Sequence, residues 1–118
     1  MDVNNNNNSN QAKEIVLACV NAIIKEDFNA ARKYVSDQFS FKGVLGSRDG
    51  ADAYFADMER MKLKYDIKKV FADGDDVCLL YDLKMSGSIV FGCGWYHVAD
   101  HKIDSLKVIF DPRPLLGL

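Results

Sequence analysis

An α+β fold is predicted for this chain of 118 residues, and three observations predict it. Apolar residues recur at helical spacing through the first half and at alternating spacing after Leu63. The alternating segments are separated by "DGD", "SG" and "DHK", all hairpin-type turn sequences. Helical segments gathered ahead of a strand meander place the helices on one side of a mainly antiparallel sheet.

The elements follow in order. Residues 1–10, "MDVNNNNNSN", read as a flexible polar tail with nothing to bury. Residues 11–118 read as a single domain. From Gln11 to Lys25, Ile15, Cys19, Ala22 and Ile23 mark the inner side of a largely enclosed helix. Asp27 is placed to cap a second, short helix with Ala31, Tyr34 and Val35 on its inner side. "QFSFKG" alternates as a short strand. "SRDGADAYFADMERMK" is a third helix, capped by Ser47 or Asp49, with Ala51, Tyr54, Phe55, Met58 and Met61 as its buried stripe. Four strands complete the chain: "KYDIKKVFA", "DVCLLYDLKM", "SIVFGCGWYHV" and "DSLKVIF".

Composition narrows the function classes. A net charge of −2 provides no basic field for nucleic acid. No apolar run approaches the roughly 20 residues that cross a bilayer, and the N-terminus lacks the basic-then-apolar order of a signal peptide. Cys19, Cys78 and Cys93 are an odd set without CxxC spacing, which argues against a disulfide framework or zinc site and for a reducing, cytoplasmic setting. No metal or other cofactor is expected. His97, Asp100 and His101 in "HVADH" are close in sequence, but no second ligand cluster accompanies them.

The "SG" turn sorts the strand faces. With either Ser86-Gly87 or Gly87-Ser88 as the loop, odd positions of one strand lie opposite even positions of the next. One face carries Val77, Leu79, Tyr81, Leu83 and Met85 with Val90, Gly92, Gly94, Tyr96 and Val98. The other carries Cys78, Leu80, Asp82 and Lys84 with Ile89, Phe91, Cys93, Trp95 and His97. Cys93 and His97 therefore share a face, but four residues at about 3.3 Å separate them by about 13 Å. A nucleophile and its base need about 3 Å, so they are no dyad.

The first face is nearly all apolar and should meet the helices. Its paired glycines allow either a cavity or a core filled by side chains from the helices. The second face mixes aromatic anchors with a polar rim, as a protein–protein interface does. Cys78, Leu80, Phe91, Cys93, Trp95 and His97 are its candidate interface residues. A three-residue turn before the last strand would put Leu106, Val108 and Phe110 on the cavity face; a two-residue turn would put Ser105, Lys107 and Ile109 there. The first is preferred because it sets large side chains against Gly92 and Gly94.

The opening "IIKEDFNAARKYVSDQFSF", the "RDGADAYFADM" helix and the closing "ADHKIDSLKVIFDPRPLL" resemble, in order and spacing, the nuclear transport factor 2-like superfamily, especially its SnoaL-like members. The resemblance covers roughly residues 12 to 116. It implies a cone-shaped, cystatin-like fold, with three N-terminal helices on a strongly curved sheet. It also implies a pocket at the open end and a homodimer through the outer sheet face.

Ketosteroid isomerases of this superfamily use a tyrosine, an aspartate base and a protonated acid; the matching positions here hold Cys19, Gly43, and Gly94 or Tyr96. Polyketide cyclases use acid/base groups near the end of the last strand, where Asp111 stands. Asp111-Pro112 is also a strand-ending turn. The Asp100-His101-Lys102 stretch sits where the family has a turn. The expectation is a binding module for a small, mainly apolar molecule, without an evident catalytic carboxylate. The candidate lining is Cys19, Phe55 and Met58 from the helices, Leu79, Tyr81, Leu83, Gly94 and Tyr96 from the central strands, and Leu106, Val108 and Phe110 from the last. The alternatives are a cyclase- or isomerase-like enzyme using Asp111 with Tyr81 or Tyr96, and a dimeric interaction module with a filled core.

Overall fold

The computed structural model describes residues 3–117, with side chains from Asn8 onward. Helix α1 (Val3–Ile24) packs across the inner face of the sheet. Ala12, Val16, Cys19, Val20 and Ile23 are buried along it at helical spacing. It starts well ahead of Gln11: the backbone of the asparagine tract from Val3 is helical, where a loose tail is expected from composition. Met1, Asp2 and Leu118 lie outside the described residues. Ser9 ties the early helix down, its hydroxyl accepting the Gly74 N–H at 2.8 Å.

Helix α2 (Phe28–Arg32) is capped as expected, the Asp27 carboxylate accepting the Ala30 N–H at 3.2 Å. Arg32 ends it by donating to the Val35 carbonyl at 2.8 Å and pairing with Asp37 and Asp52. Val35 accordingly begins strand β1 (Val35–Lys42) instead of closing the helix. A second correction follows. Ser47–Asp49 is not the start of the third helix but a strand, β2, paired antiparallel with β1. The Gly50 N–H donates to the Phe39 carbonyl at 2.6 Å, which holds this segment on the sheet until α3 (Ala51–Met61) begins. Neither Ser47 nor Asp49 caps it.

Strands β3 (Lys64–Asp73), β4 (Asp76–Met85), β5 (Ser88–Ala99) and β6 (Lys102–Phe110) form the meander, and a short helix α4 (Arg113–Leu116) follows. The sheet order is β2-β1-β6-β5-β4-β3, antiparallel except for the parallel β1–β6 pair. The result is a curved, mixed six-stranded sheet with α1, α2 and α3 on its inner side. No helix among the described residues is long and apolar enough to cross a membrane.

Register decides which side chains reach the interior. The β4–β5 loop is Ser86-Gly87, closed by Met85 opposite Ser88, with Leu79 opposite Gly94 and Tyr81 opposite Gly92. The β5–β6 turn differs from expectation. It has two residues, Asp100 and His101 at φ 51° and 63°, closed by Ala99 opposite Lys102. That loop alone would turn Ser105, Lys107 and Ile109 inward. A β-bulge at Asp104, between the Val98–Ile103 and His97–Ser105 pairs, adds the missing residue. Leu106, Val108 and Phe110 thus face Tyr96, Gly94 and Gly92, on the side expected from the longer turn.

The core is continuous from α1 to β6. Tyr81, Phe39, Leu79, Val16 and Ile103 are almost wholly withdrawn from water, each contributing about 1.5–3 kcal/mol through burial. Ring contacts between Phe39 and Tyr54 at 4.9 Å and an edge-on Tyr65–Tyr81 pair at 5.0 Å stiffen the end of the core nearest α3.

Candidate functional site

Between α3, β1 and the inner face of the sheet lies a small chamber of about 80 Å³. Phe41, Tyr54, Met58, Leu63, Tyr65 and Tyr81 line its inner part, with Leu83, Met85, Val108 and Phe110 on the sheet side and Asp57 and Met61 toward the outside. A funnel of about 420 Å³ adjoins it, bounded by the β1–β2 hairpin and the C-terminal half of α3. Phe41, Asp57, Met61, Met85 and Phe110 belong to both, and so form the neck between them.

Five of the eleven candidate lining residues reach this chamber: Met58, Tyr81, Leu83, Val108 and Phe110. Cys19, Phe55, Leu79, Gly94, Tyr96 and Leu106 do not. They are buried in solid core. The reason is the use made of the glycines. A Cβ on Gly94 would meet Tyr96 Cε1 at 2.9 Å and the Tyr81 hydroxyl at 3.2 Å. One on Gly92 would meet Phe110 Cβ, the Ile109 carbonyl and Tyr81 Cε1, each at 3.2 Å. The space above the glycines is filled by tyrosine rings and not left open for a ligand. The Cys19 thiol donates to the Ala31 carbonyl at 3.5 Å, and burial pushes its pKa up to about 12. It is a packing group without thiolate character.

The polar equipment of the chamber is sparse. Burial raises the pKa values of the Tyr54 and Tyr65 phenols, as it does those of Tyr81 and Tyr96. They are neutral donors and acceptors at any ordinary pH. Among the described residues, the one carboxylate on the chamber wall is Asp57, its side chain only 16% exposed. Arg48 Nε donates to its Oδ2 at 2.7 Å and Arg60 Nη2 to its Oδ1 at 3.1 Å. The Arg48 bond, aided by Arg60, holds the Asp57 carboxyl below the usual carboxylate range. Asp57, Arg48, Arg60, Phe41 and Tyr65 are not among the residues expected from sequence. The signal for Asp57 was present, because Tyr54, Asp57, Met58 and Met61 follow the i, i+3, i+4, i+7 spacing of a helix stripe.

Asp111 is placed elsewhere. Its carboxylate receives the Arg113 guanidinium at 2.6–2.9 Å and the Arg113 backbone N–H at 3.1 Å. These bonds lower its pKa, and it lines neither chamber nor funnel. Tyr81 and Asp111 are therefore not brought together in one cavity, and Tyr96 is in the filled core.

The outer face of the sheet holds the six candidate interface residues. Phe91 and Trp95 are exposed at 57% and 46%, alongside Ile109 at 73%, while Cys78, Leu80, Cys93 and His97 are half-buried. The Trp95 indole N–H donates to Asp76 at 2.9 Å, and Lys107 Nζ lies 4.9 Å from the centre of the indole ring system. His97 Nδ1 is 2.7 Å from Asp104 Oδ1, the carboxylate supplied by the bulge. His101 occupies the turn, and among the described residues no three His, Cys, Asp or Glu side chains are grouped as a metal site would require.

Comparison with known proteins agrees with this architecture. A family profile described as a SnoaL-like domain matches residues 16–106. An NTF2-like protein of unknown function from Cytophaga hutchinsonii ATCC 33406 superposes with a TM-score of 0.87 at 44% identity, over 89% of this chain and 94% of that one. A protein from Kribbella flavida DSM 17836 is 28% identical with a TM-score of 0.80, covering 89% and 90% of the two chains. An M. tuberculosis LEH-like epoxide hydrolase, 23% identical, shares the fold with a TM-score of 0.77 over 92% and 89%. No curated protein matches the sequence significantly. With the profile spanning most of the domain and the helices packed inside a curved six-stranded sheet, the chain belongs to the SnoaL-like domain family of the nuclear transport factor 2-like superfamily.

Proposed function

We propose that this protein is a binding module for a small, mainly apolar molecule, acting as a homodimer through the outer face of its sheet. The observation that carries the reading is the apolar chamber behind the Phe41–Met61–Met85–Phe110 neck, with its single funnel-side carboxylate. Concave, apolar sites with a few placed polar groups are where small ligands bind. Catalysis is not part of the proposal. A general acid or base works best with a pKa near the operating pH, whereas arginines hold both Asp57 and Asp111 on the low side of the carboxylate range. Exposed Phe91, Trp95 and Ile109 support the dimer, because a contiguous apolar face is characteristic of an interaction surface.

Native mass spectrometry of the purified protein, followed by denaturation and analysis of released small molecules, tests both parts. A dimer carrying an apolar molecule is expected, with the Trp95→Lys variant monomeric. A wild-type monomer at micromolar concentration would refute the interface. Failure of any apolar small molecule to bind, in native spectra or by titration, would refute the chamber's role.

A further inference from the structure

We propose that the ligand is an aliphatic carboxylic acid, bound chain-inward through the neck with its carboxylate against Arg48 and Arg60. The inference rests on the chamber being a binding site. It adds the chemical class of the occupant.

Three observations carry it. The first is size. An engineered cavity of about 150 Å³ takes a benzene ring, and the chamber here is about 80 Å³. A slender alkyl chain suits that space better than a ring. The neck residues Met61 and Met85 have unbranched, adaptable side chains that close around such a chain.

The second is charge. Among the described residues the ionised groups lining the funnel are two guanidiniums, Arg48 and Arg60, and one carboxylate, Asp57, which together leave one net positive charge at the mouth. That charge stands where the apolar wall ends. A carboxylate cannot pass the neck without losing its hydration at high cost, so its place is outside, in the funnel.

The third is donor geometry. Asp57 already shows how this corner holds a carboxylate, one oxygen on Arg48 and the other on Arg60. Arg48 gives it the Nε–H and Arg60 an Nη2 hydrogen, while each guanidinium has five N–H donors. Donors remain on both for a second carboxylate, and Arg48 and Arg60 are half-exposed or more, hence reachable from the funnel. Asp57 then acts as a positioning residue. It fixes both guanidiniums at the neck before the ligand arrives, which reduces the ordering cost of binding.

The test is calorimetric titration of the full chain with hexanoate, hexan-1-ol and acetate at neutral pH and low salt. Hexanoate is expected to bind about tenfold or more tightly than hexanol, the scale of one charge-assisted contact, and acetate not measurably. In the Arg48→Gln/Arg60→Gln variant, checked for folding by its melting transition, the preference for hexanoate over hexanol should be lost or reversed, because Asp57 then leaves the mouth with one net negative charge. Equal affinity of hexanoate and hexanol for the wild type would overturn the acid assignment and leave the apolar chamber standing. Acetate binding as tightly as hexanoate would likewise overturn it, by removing the chain from the site. If neither six-carbon probe binds, the acid assignment and the binding-module reading fall together. The wild-type comparison decides the matter even if the double variant fails to fold.

Discussion

Adding one methyl group above the sheet tests whether the cone is filled in the way described. In Gly94→Ala the new Cβ lies 2.9 Å from Tyr96 Cε1, 3.2 Å from the Tyr81 hydroxyl and 3.4 Å from Leu106 Cδ1. The first distance is shorter than carbon atoms tolerate, and both rings are buried, Tyr96 in the filled core and Tyr81 between that core and the chamber. Overpacking of this kind costs about 1–3 kcal/mol. Replacing a strand glycine by alanine returns about 0.5–1 kcal/mol of backbone entropy. A net loss of about 1–2 kcal/mol is expected, which lowers the urea midpoint by roughly 0.5–1 M at an unchanged slope. Tyr81→Phe removes the hydroxyl contact and should recover about 0.5 kcal/mol or more of that loss in the double variant. A Gly94→Ala midpoint equal to or above that of the wild type would refute the reasoning. It would mean that the space over Gly94 is open and that the chamber extends toward Cys19.

The thiols and the outer-face histidine provide two further checks. Burial pushes the Cys19 thiol up to about 12 while Cys78 and Cys93 are only half-buried in the single chain, so a thiol reagent at neutral pH should label Cys78 and Cys93 in the folded Trp95→Lys monomer and Cys19 only on unfolding. Rapid labelling of Cys19, mapped by peptide mass, would contradict the packing. His97 holds its proton to higher pH than an ordinary histidine, first because of its hydrogen bond to Asp104, aided by the charges of Asp104, Asp76 and Asp75. A raised folded pKa stabilises fully below the unfolded value near 6.5 and loses that contribution as pH rises through the folded value. The stability difference between wild type and His97→Gln should therefore shrink on going from about pH 5 to pH 8. A difference independent of pH would sink the pairing.

Much of the fold was legible because strand faces follow a period of two. Once Ser86-Gly87 is recognised as a turn, Leu79, Tyr81, Gly92 and Gly94 must share one face. The Asp27 cap was legible for a similar reason: its partner, the Ala30 N–H, is three residues away. Contacts made at a distance were not. Ser47–Asp49 carries helix-capping residue types but is held as a strand by β1 and by the Gly50–Phe39 bond. The chamber divides in the same way. Asp57 sits in a readable slot of the α3 stripe, but Arg48, which orients it, comes from a different element nine positions earlier. Tyr81 stands directly opposite Gly92, and Tyr96 is two residues beyond Gly94 on the same face. Large against small is a pattern the sequence contains, though only packing shows that the tyrosines take up the room themselves.

The bulge at Asp104 has a further consequence, for how such a strand tolerates change in length. A two-residue turn and one supernumerary residue sum to the same parity as a three-residue turn with none. The inside and outside of β6 are therefore protected by a compensated frameshift, the offset introduced at Asp100-His101 being cancelled within a few residues. The interior of the cone reads only the parity, so the number of residues can be redistributed between turn and bulge while Leu106, Val108 and Phe110 keep their places. The correcting residue is also the one that pairs with His97 on the opposite surface, so one carboxylate both restores the core register and sets the charge at the edge of the outer face.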